Sequence, residues 1–208
     1  MSRQRGIAIL WVADELLQHH SEPPNGPLIH EFLDELEGFE RKMLLGSLFW
    51  NALRFGKWLL AEHCIVEGYP IAHSEDDRDS QPLCDAMSIL EDRPDVIAWL
   101  LEHGAEFEQR SINHWTPLMF AVIHGYREIV ELLLAAGADI NASTIIDDDL
   151  TPLMMAAERG GEATLKLLLA ADADVRKKNR CGMDAAQLAE QKRFPHLAAL
   201  LRQHAQQR

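Results

Sequence analysis

The sequence predicts an all-α protein built as an open array of helix–turn–helix units, and two observations carry that prediction. The first is self-similarity. The run from Thr116-Pro117-Leu118-Met119-Phe120-Ala121 to Gly137-Ala138-Asp139-Ile140-Asn141 lies almost residue for residue over the run from Thr151-Pro152-Leu153-Met154-Met155-Ala156 to Asp172-Ala173-Asp174-Val175. A repeat this short is one supersecondary unit that cannot bury its own apolar face, so it must stack on neighbours. The second observation is the period. Thr151 to Asp184 and Gly104 to Gly137 both span 33 residues, the length of a helix pair with its turn in a solenoid.

Taken in order, the chain opens with Ile7-Ala8-x-Leu10-Trp11-Val12 and Leu16-Leu17, then Leu28-Ile29, Phe32-Leu33 and Leu36. Both have helical spacing, and the Pro23-Pro24-Asn25-Gly26-Pro27 cluster breaks them apart. Met43-Leu44-Leu45-Leu48-Phe49-Ala52 and Trp58-Leu59-Leu60 follow, and the second echoes Trp99-Leu100-Leu101. Residues 43–72 are therefore open to reading as a degenerate repeat, although Ala52 to Leu59 is short for one. The expectation adopted is an N-terminal helical cap over 1–74. Four units then fill 75–208, at about 75–110, 111–145, 146–178 and 179–208. In the first, Pro82-Leu83-x-x-Ala86 begins one helix, and two extra residues precede the second helix at Pro94. Thr116 to Thr151 is 35 residues rather than 33, so two residues are expected to be inserted near Ser143 to Asp149, where a solvated backbone tolerates them. The last unit lacks Thr-Pro and ends in a polar tail, as a capping unit with a wet outer face should.

The Thr-Pro-Leu start, the Val/Ile-x-x-Leu-Leu run and the Gly-Ala-Asp-x-Asn end, in that order, resemble the ankyrin repeat. The resemblance covers about 75–208 and implies a solenoid whose helix pairs are joined by projecting turns. The family's histidine is replaced by Met119, Met154 and Gln187, which removes the hydrogen bonds that it makes to the neighbouring turn. Asp172 stands where Gly137 stands one unit earlier, and Asp accepts the left-handed conformation of a helix C-terminus less readily than Gly, so local strain is expected there.

Composition narrows the function classes. The chain has 208 residues, 47% of them hydrophobic, with no apolar run near the 18 residues that a membrane helix needs. Arg3 and Arg5 precede a short apolar stretch that lacks a cleavage pattern, so the expectation is a cytoplasmic protein. Cys64, Cys84 and Cys181 are scattered and odd in number, and are expected to be small buried hydrophobes in a reducing compartment. Residues 1–175 carry 12 Lys+Arg against 31 Asp+Glu, and residues 176–208 carry 8 against 2; the balances of −19 and +6 sum to the net −13. An acidic body with a basic end repels nucleic-acid phosphates and favours a basic protein partner.

No phosphate-binding glycine loop, paired-cysteine motif, zincin motif or nucleophile elbow is present. The ten histidines lack ligand spacing. His63-Cys64 is no nucleophile–base pair, because helical neighbours point apart. The Asp147-Asp148-Asp149 triplet offers oxygen ligands to a hard cation, but a solvated loop is the plainer account. No catalysis, metal or cofactor is expected.

What remains is a surface. By the resemblance, the turns before each Thr-Pro form tips that line one edge, and the first helices form the adjacent concave face. The tips are Glu75-Asp76-Asp77-Arg78, then Arg110 to Asn113 with Trp115, then Ile145-Ile146-Asp147-Asp148-Asp149 with Leu150, then Lys178-Asn179-Arg180 with Met183. A turn in water has no folding reason to carry Trp115, Ile145 or Ile146 unless each packs on a neighbouring tip or meets a partner. The concave positions near the ends of the first helices are Ser88-Ile89, Ile123-His124-x-Tyr126, Glu158-Arg159 and Gln191-Lys192, and His124 and Tyr126 have the best claim, since each can give both apolar area and a hydrogen bond. The expected binding residues are thus Asp76, Asp77, Ile112, Asn113, Trp115, His124, Tyr126, Ile145, Ile146, Asp147, Asp148, Asp149, Glu158 and Arg159. The expected function is a non-catalytic module that binds a basic protein partner, without nucleic acid or membrane, and acts by occlusion or tethering as a monomer or weak self-associator. The alternatives are an inhibitor or immunity protein for a basic toxin or nuclease, a self-associating structural unit, and an enzyme built on the N-terminal helices.

Overall fold

A helix pair recurs through the computed structural model, which describes residues 38–71, 81–111 and 113–207. Ten α-helices and no strand occur among the described residues. The helices expected within 7–36, the first tip Glu75-Asp76-Asp77-Arg78 and Ile112 lie outside them. The chain divides into two compact units, 1–70 and 71–208.

In the larger unit the pairs are α3 (Pro82–Leu90) with α4 (Pro94–Glu102), α5 (Pro117–His124) with α6 (Arg127–Ala135), α7 (Pro152–Arg159) with α8 (Glu162–Ala170), and α9 (Ala185–Gln191) with α10 (Pro195–Gln206). First helices pack on first helices in the order α3, α5, α7, α9, and α4, α6 and α8 form a second layer. The start of each first helix is fixed locally. The hydroxyls of Thr116 and Thr151 accept from the N–H groups of Met119 and Met154, and proline follows at the first helical position, where its missing N–H is no loss. Asp184 replaces threonine and closes a full capping box with Gln187. That pairing explains one of the three departures from the family histidine. The other two, Met119 and Met154, are buried and fill the stack instead.

The second helices α4, α6 and α8 end in one repeated device. A residue in left-handed backbone lets two trailing N–H groups turn back onto helix carbonyls. Ala138 N–H donates to Leu133 and Gly137 N–H to Leu134, and Ala173 and Asp172 do the same to Leu168 and Leu169. Asp172 takes φ +67 where Gly137 takes +99, so the fold imposes the left-handed conformation on a residue that bears a side chain. Leu100, Leu133 and Leu168 occupy the same place in three successive units and are fully buried. Burying each such side chain contributes roughly 2 kcal/mol.

The smaller unit contributes α1 (Gly38–Arg54) and α2 (Trp58–Val66), which pack on each other. Phe49 stacks on Tyr69 with ring centroids 4.2 Å apart, and Arg41 bonds Glu67 at 2.8 Å. This pair repeats the bonding of the larger unit. Gly56 is left-handed like Gly125 and Gly160. Lys57 N–H donates to Ala52 as Tyr126 does to Ala121 and Gly161 to Ala156, and Tyr69 N–H donates to Cys64 as Ala138 does to Leu133. Helices α2, α4, α6 and α8 all have 9 residues. The apparent shortness between Ala52 and Leu59 came from aligning Trp58 with Trp99, whereas the hydrogen bonds align Gly68 with Gly104.

Candidate functional site

The tips before each first helix are closed by a reciprocal clasp. Ser111 N–H donates to the Trp115 carbonyl, Thr144 N–H to Leu150 and Asn179 N–H to Met183. In return the backbone N–H groups of Trp115, Leu150 and Met183 donate to the side-chain oxygens of Ser111, Thr144 and Asn179. The clasped residues are four positions apart at 111 and 115 and at 179 and 183 but six apart at 144 and 150. The two-residue insertion expected near 143–149 therefore lies wholly inside the Thr144–Leu150 turn. Its extra length is tightly held, because the Thr144 hydroxyl, itself buried, also donates to the Asp147 carbonyl at 2.6 Å.

Neighbouring tips are stapled together. The Trp115 indole N–H donates to Asp147 at 2.8 Å, and the Arg110 guanidinium donates to the Ser143 carbonyl. Arg180 donates its backbone N–H to the Asp148 carbonyl and its guanidinium to Asp149 and the Ile145 carbonyl. The alternating charge along the tips is thus spent partly within the protein, and half-buried Trp115 packs toward the next tip. Ile145 and Ile146 do not. They remain 54% and 60% exposed at the apex of the enlarged tip, with Asp147 and Asp148 exposed beside them and Asp149 half-buried. Asn113 is exposed.

At the ends of the first helices the order is acidic, aromatic, then basic. Glu91 and Asp92 occupy the lengthened α3–α4 turn, where Glu91 takes φ +60 and ψ −134, an unfavourable conformation for a residue with a side chain. Phe120 stacks on His124 at 4.5 Å and His124 on Tyr126 at 5.5 Å, with interplanar angles of 26° and 20°. His124 is exposed and Tyr126 half-buried. Partial burial raises the Tyr126 hydroxyl above its ordinary pKa, and Glu91 and Asp92 add to that. Glu158 is paired with Lys192 of the following unit at 3.3 Å, and Arg159 is exposed. Asp76, Asp77 and Ile112 lie outside the described residues. The turn Glu91-Asp92 and the stacked Phe120 were not among the expected binding residues; the two-residue excess before Pro94 was the signal for the turn.

Among the described residues no group of three or more His, Cys, Asp or Glu side chains is placed to hold a metal ion, and no helix is long and apolar enough to cross a membrane. Cys64 and Cys84 are buried, and burial pushes both thiols up to about 12. Cys181 departs from the expectation. It lies in the fourth tip and is exposed, because the residues between the clasped ends of that turn project from the stack.

A family described as ankyrin repeats, in three copies, matches residues 48–144, and a single ankyrin repeat matches residues 148–180. The chain belongs to the ankyrin-repeat family. The family match begins inside α1 and takes in α2, where the bonding of a repeat was found. Among curated proteins, the ankyrin-repeat chain is 33% identical over 102 residues to a mitochondrial disaggregase of Bos taurus, covering 47% of this chain and 14% of that one. It is 40% identical over 59 residues to ankyrin repeat and KH domain-containing protein 1 of Homo sapiens, 28% of this chain and 2% of that one. It is 36% identical over 63 residues to protein phosphatase 1 regulatory subunit 27 of Homo sapiens, 30% of this chain and 40% of that one. The chain thus spans a small part of the first two and less than half of the third. Ankyrin repeats are a protein-interaction scaffold, and the disaggregase name belongs to a protein of which these repeats are a minor part.

Proposed function

We propose that this ankyrin array binds a protein with a basic surface, with Ile145 and Ile146 as the apolar centre of contact and Asp147, Asp148 and Asp149 as its acidic rim. The observation that carries the proposal is the exposure of two adjacent isoleucines on a turn held rigid by the Thr144 clasp. A preorganised apolar pair loses little conformational entropy on binding, and charge around it directs the encounter. Asn113, Trp115, His124, Tyr126, Glu158 and Arg159 extend the same surface along the tips and first-helix ends. The effect on the partner is occlusion or tethering, and a relative that is a phosphatase regulatory subunit by name supports a regulatory binder. In this reading residues 47–71 form one further ankyrin pair, whose first helix continues backward to Gly38, and three unpaired thiols suit a reducing cytoplasm.

The test is affinity capture from native lysate with the intact chain and with an Ile145→Ser plus Ile146→Ser variant. One prey lost with the variant, and bound about tenfold more weakly at high salt than at low, supports the reading. Equal capture by both proteins refutes it.

A second reading is favoured by the opposed charges of residues 1–175 and 176–208: copies of the chain dock basic end to acidic body. Light scattering at two salt concentrations separates the two, since head-to-tail association predicts a mass that falls as salt rises.

A further inference from the structure

The turn between α3 and α4 is longer than its counterparts by two residues. From the first-helix cap to the second-helix cap is 12 positions for Gln81 to Arg93 but 10 for Thr116 to Tyr126, Thr151 to Gly161 and Asp184 to Phe194. Glu91 and Asp92 are in that lengthened turn, and the register of the repeats directs the turn toward the next unit. Phe194 shows the relation, because its ring lies on Gly160 of the preceding unit. Tyr126 holds the same position as Phe194 one pair of units earlier, and the corresponding turn beneath it is Glu91-Asp92.

We propose that the stacked rings of Phe120, His124 and Tyr126, together with the Glu91-Asp92 turn, form a receptor for an arginine side chain of the partner. This rests on the interaction-module reading above. The three roughly parallel rings form one stack, with exposed His124 in the middle and half-buried Tyr126 as the end ring that can offer a face. Two carboxylates stand beside it with no ion pair to any described residue. The neighbouring cations are already engaged: Arg93 grips Asp95 with bonds of 2.7 and 2.8 Å, and Arg127 grips Glu131 at 3.1 Å. An apolar side chain would leave the carboxylates unused, and a lysine would not match the plane. A guanidinium stacks on aromatic faces while donating in a fork to a carboxylate, so it uses both features at once. The influence of Glu91 and Asp92 on the Tyr126 hydroxyl is consistent with their closeness.

The probe is acetyl-Gly-Gly-Arg-Gly-Gly-amide, titrated into the isotope-labelled full chain beside its lysine and citrulline counterparts, with side-chain and backbone resonances followed. The expected result is saturable shifts centred on Glu91, Asp92, Phe120, His124 and Tyr126. The lysine peptide is expected to bind about threefold more weakly, and the citrulline peptide to give no saturable shift. His124→Ala, at an exposed position, and Glu91→Gln with Asp92→Asn should each weaken the arginine peptide by about threefold. Equal shifts with citrulline, tighter binding of lysine, or indifference to both variants overturns the proposal. The reading beneath it fails separately: an arginine peptide that binds as described, with no protein captured through Ile145 and Ile146, leaves the receptor and removes the module's proposed partner surface. Capture of a partner indifferent to His124→Ala and to the paired carboxylate variant does the reverse.

Discussion

Replacing Gly125 and Gly160 separately by alanine distinguishes backbone strain from steric crowding in the stack. Both glycines end a first helix in the same left-handed conformation, φ +74 and ψ 22 for Gly125, φ +75 and ψ 20 for Gly160. A Cβ at Gly125 meets nothing within 4 Å, whereas one at Gly160 lies 2.6 Å from two atoms of the Phe194 ring. Left-handed backbone costs alanine about 1–2 kcal/mol, and restriction of the unfolded chain returns roughly 0.5 kcal/mol. Gly125→Ala should therefore destabilise by about 1 kcal/mol. Gly160→Ala carries the same term and must also push the Phe194 ring aside. That ring is half-buried at the cap of α10, with Pro195 behind it limiting the backbone. Crowding of this kind costs about 1–3 kcal/mol, giving a total of roughly 2–4 kcal/mol. Equilibrium urea unfolding followed by circular dichroism measures both variants. In a Phe194→Ala background the clash is gone, so Gly160→Ala should fall to the Gly125→Ala cost. Equal costs for the two glycines in the wild-type background, or an excess at Gly160 that survives removal of the ring, would refute the stacking of Phe194 on the preceding turn.

Three further outcomes follow from the same structure. Thr151→Ala leaves the Met154 N–H without its acceptor and should cost about 1 kcal/mol in urea unfolding, while Thr151→Ser retains most of it; equal loss in both would point away from capping. A thiol reagent at mildly alkaline pH should modify Cys181 rapidly, and Cys64 and Cys84, held near 12 by burial, only on unfolding; Cys181→Ser should abolish the fast phase, and a second fast thiol would contradict the burial. Burial raises the Asp85 carboxyl above its ordinary range, opposed by a bond to the Gln81 backbone. The folded state then holds that proton more tightly than the unfolded chain, so this contribution to stability falls as pH climbs from the ordinary carboxyl pKa through the raised one. Asp85→Asn should accordingly raise the melting temperature at neutral pH, with the gain vanishing in acid; a gain that does not change with pH would exclude that cause.

The order and length of the repeats were legible because their signals are local. Thr116-Pro117 and Thr151-Pro152 mark helix starts by chemistry that any sequence displays, and counting from them located both two-residue insertions. Residues 43–72 stayed open between a degenerate repeat and a helical cap, because no Thr-Pro marks a first helix there and α1 runs unbroken from Gly38. A signal was nevertheless present. Gly56 to Gly68 is 12 residues, as Gly125 to Gly137 and Gly160 to Asp172 are, and those are the left-handed positions. At the candidate site, the exposure of Ile145 and Ile146 followed from their place in a turn. The staple from Trp115 to Asp147 did not, since it depends on how far an enlarged turn leans toward its neighbour. Cys181 was misjudged for a related reason, because hydrophobic character says little about a residue between the two ends of a projecting loop.

The clasp between Thr144 and Leu150 sits where those of Ser111–Trp115 and Asn179–Met183 sit, although it encloses two more residues. The two strands of chain therefore leave and rejoin the helices through the same gate, whatever lies beyond it. Such a gate makes the rim modular: a longer or chemically different finger can be grafted between positions 144 and 150, and the helices on either side inherit no change in spacing. Diversification of this protein, in nature or by design, has its natural foothold there.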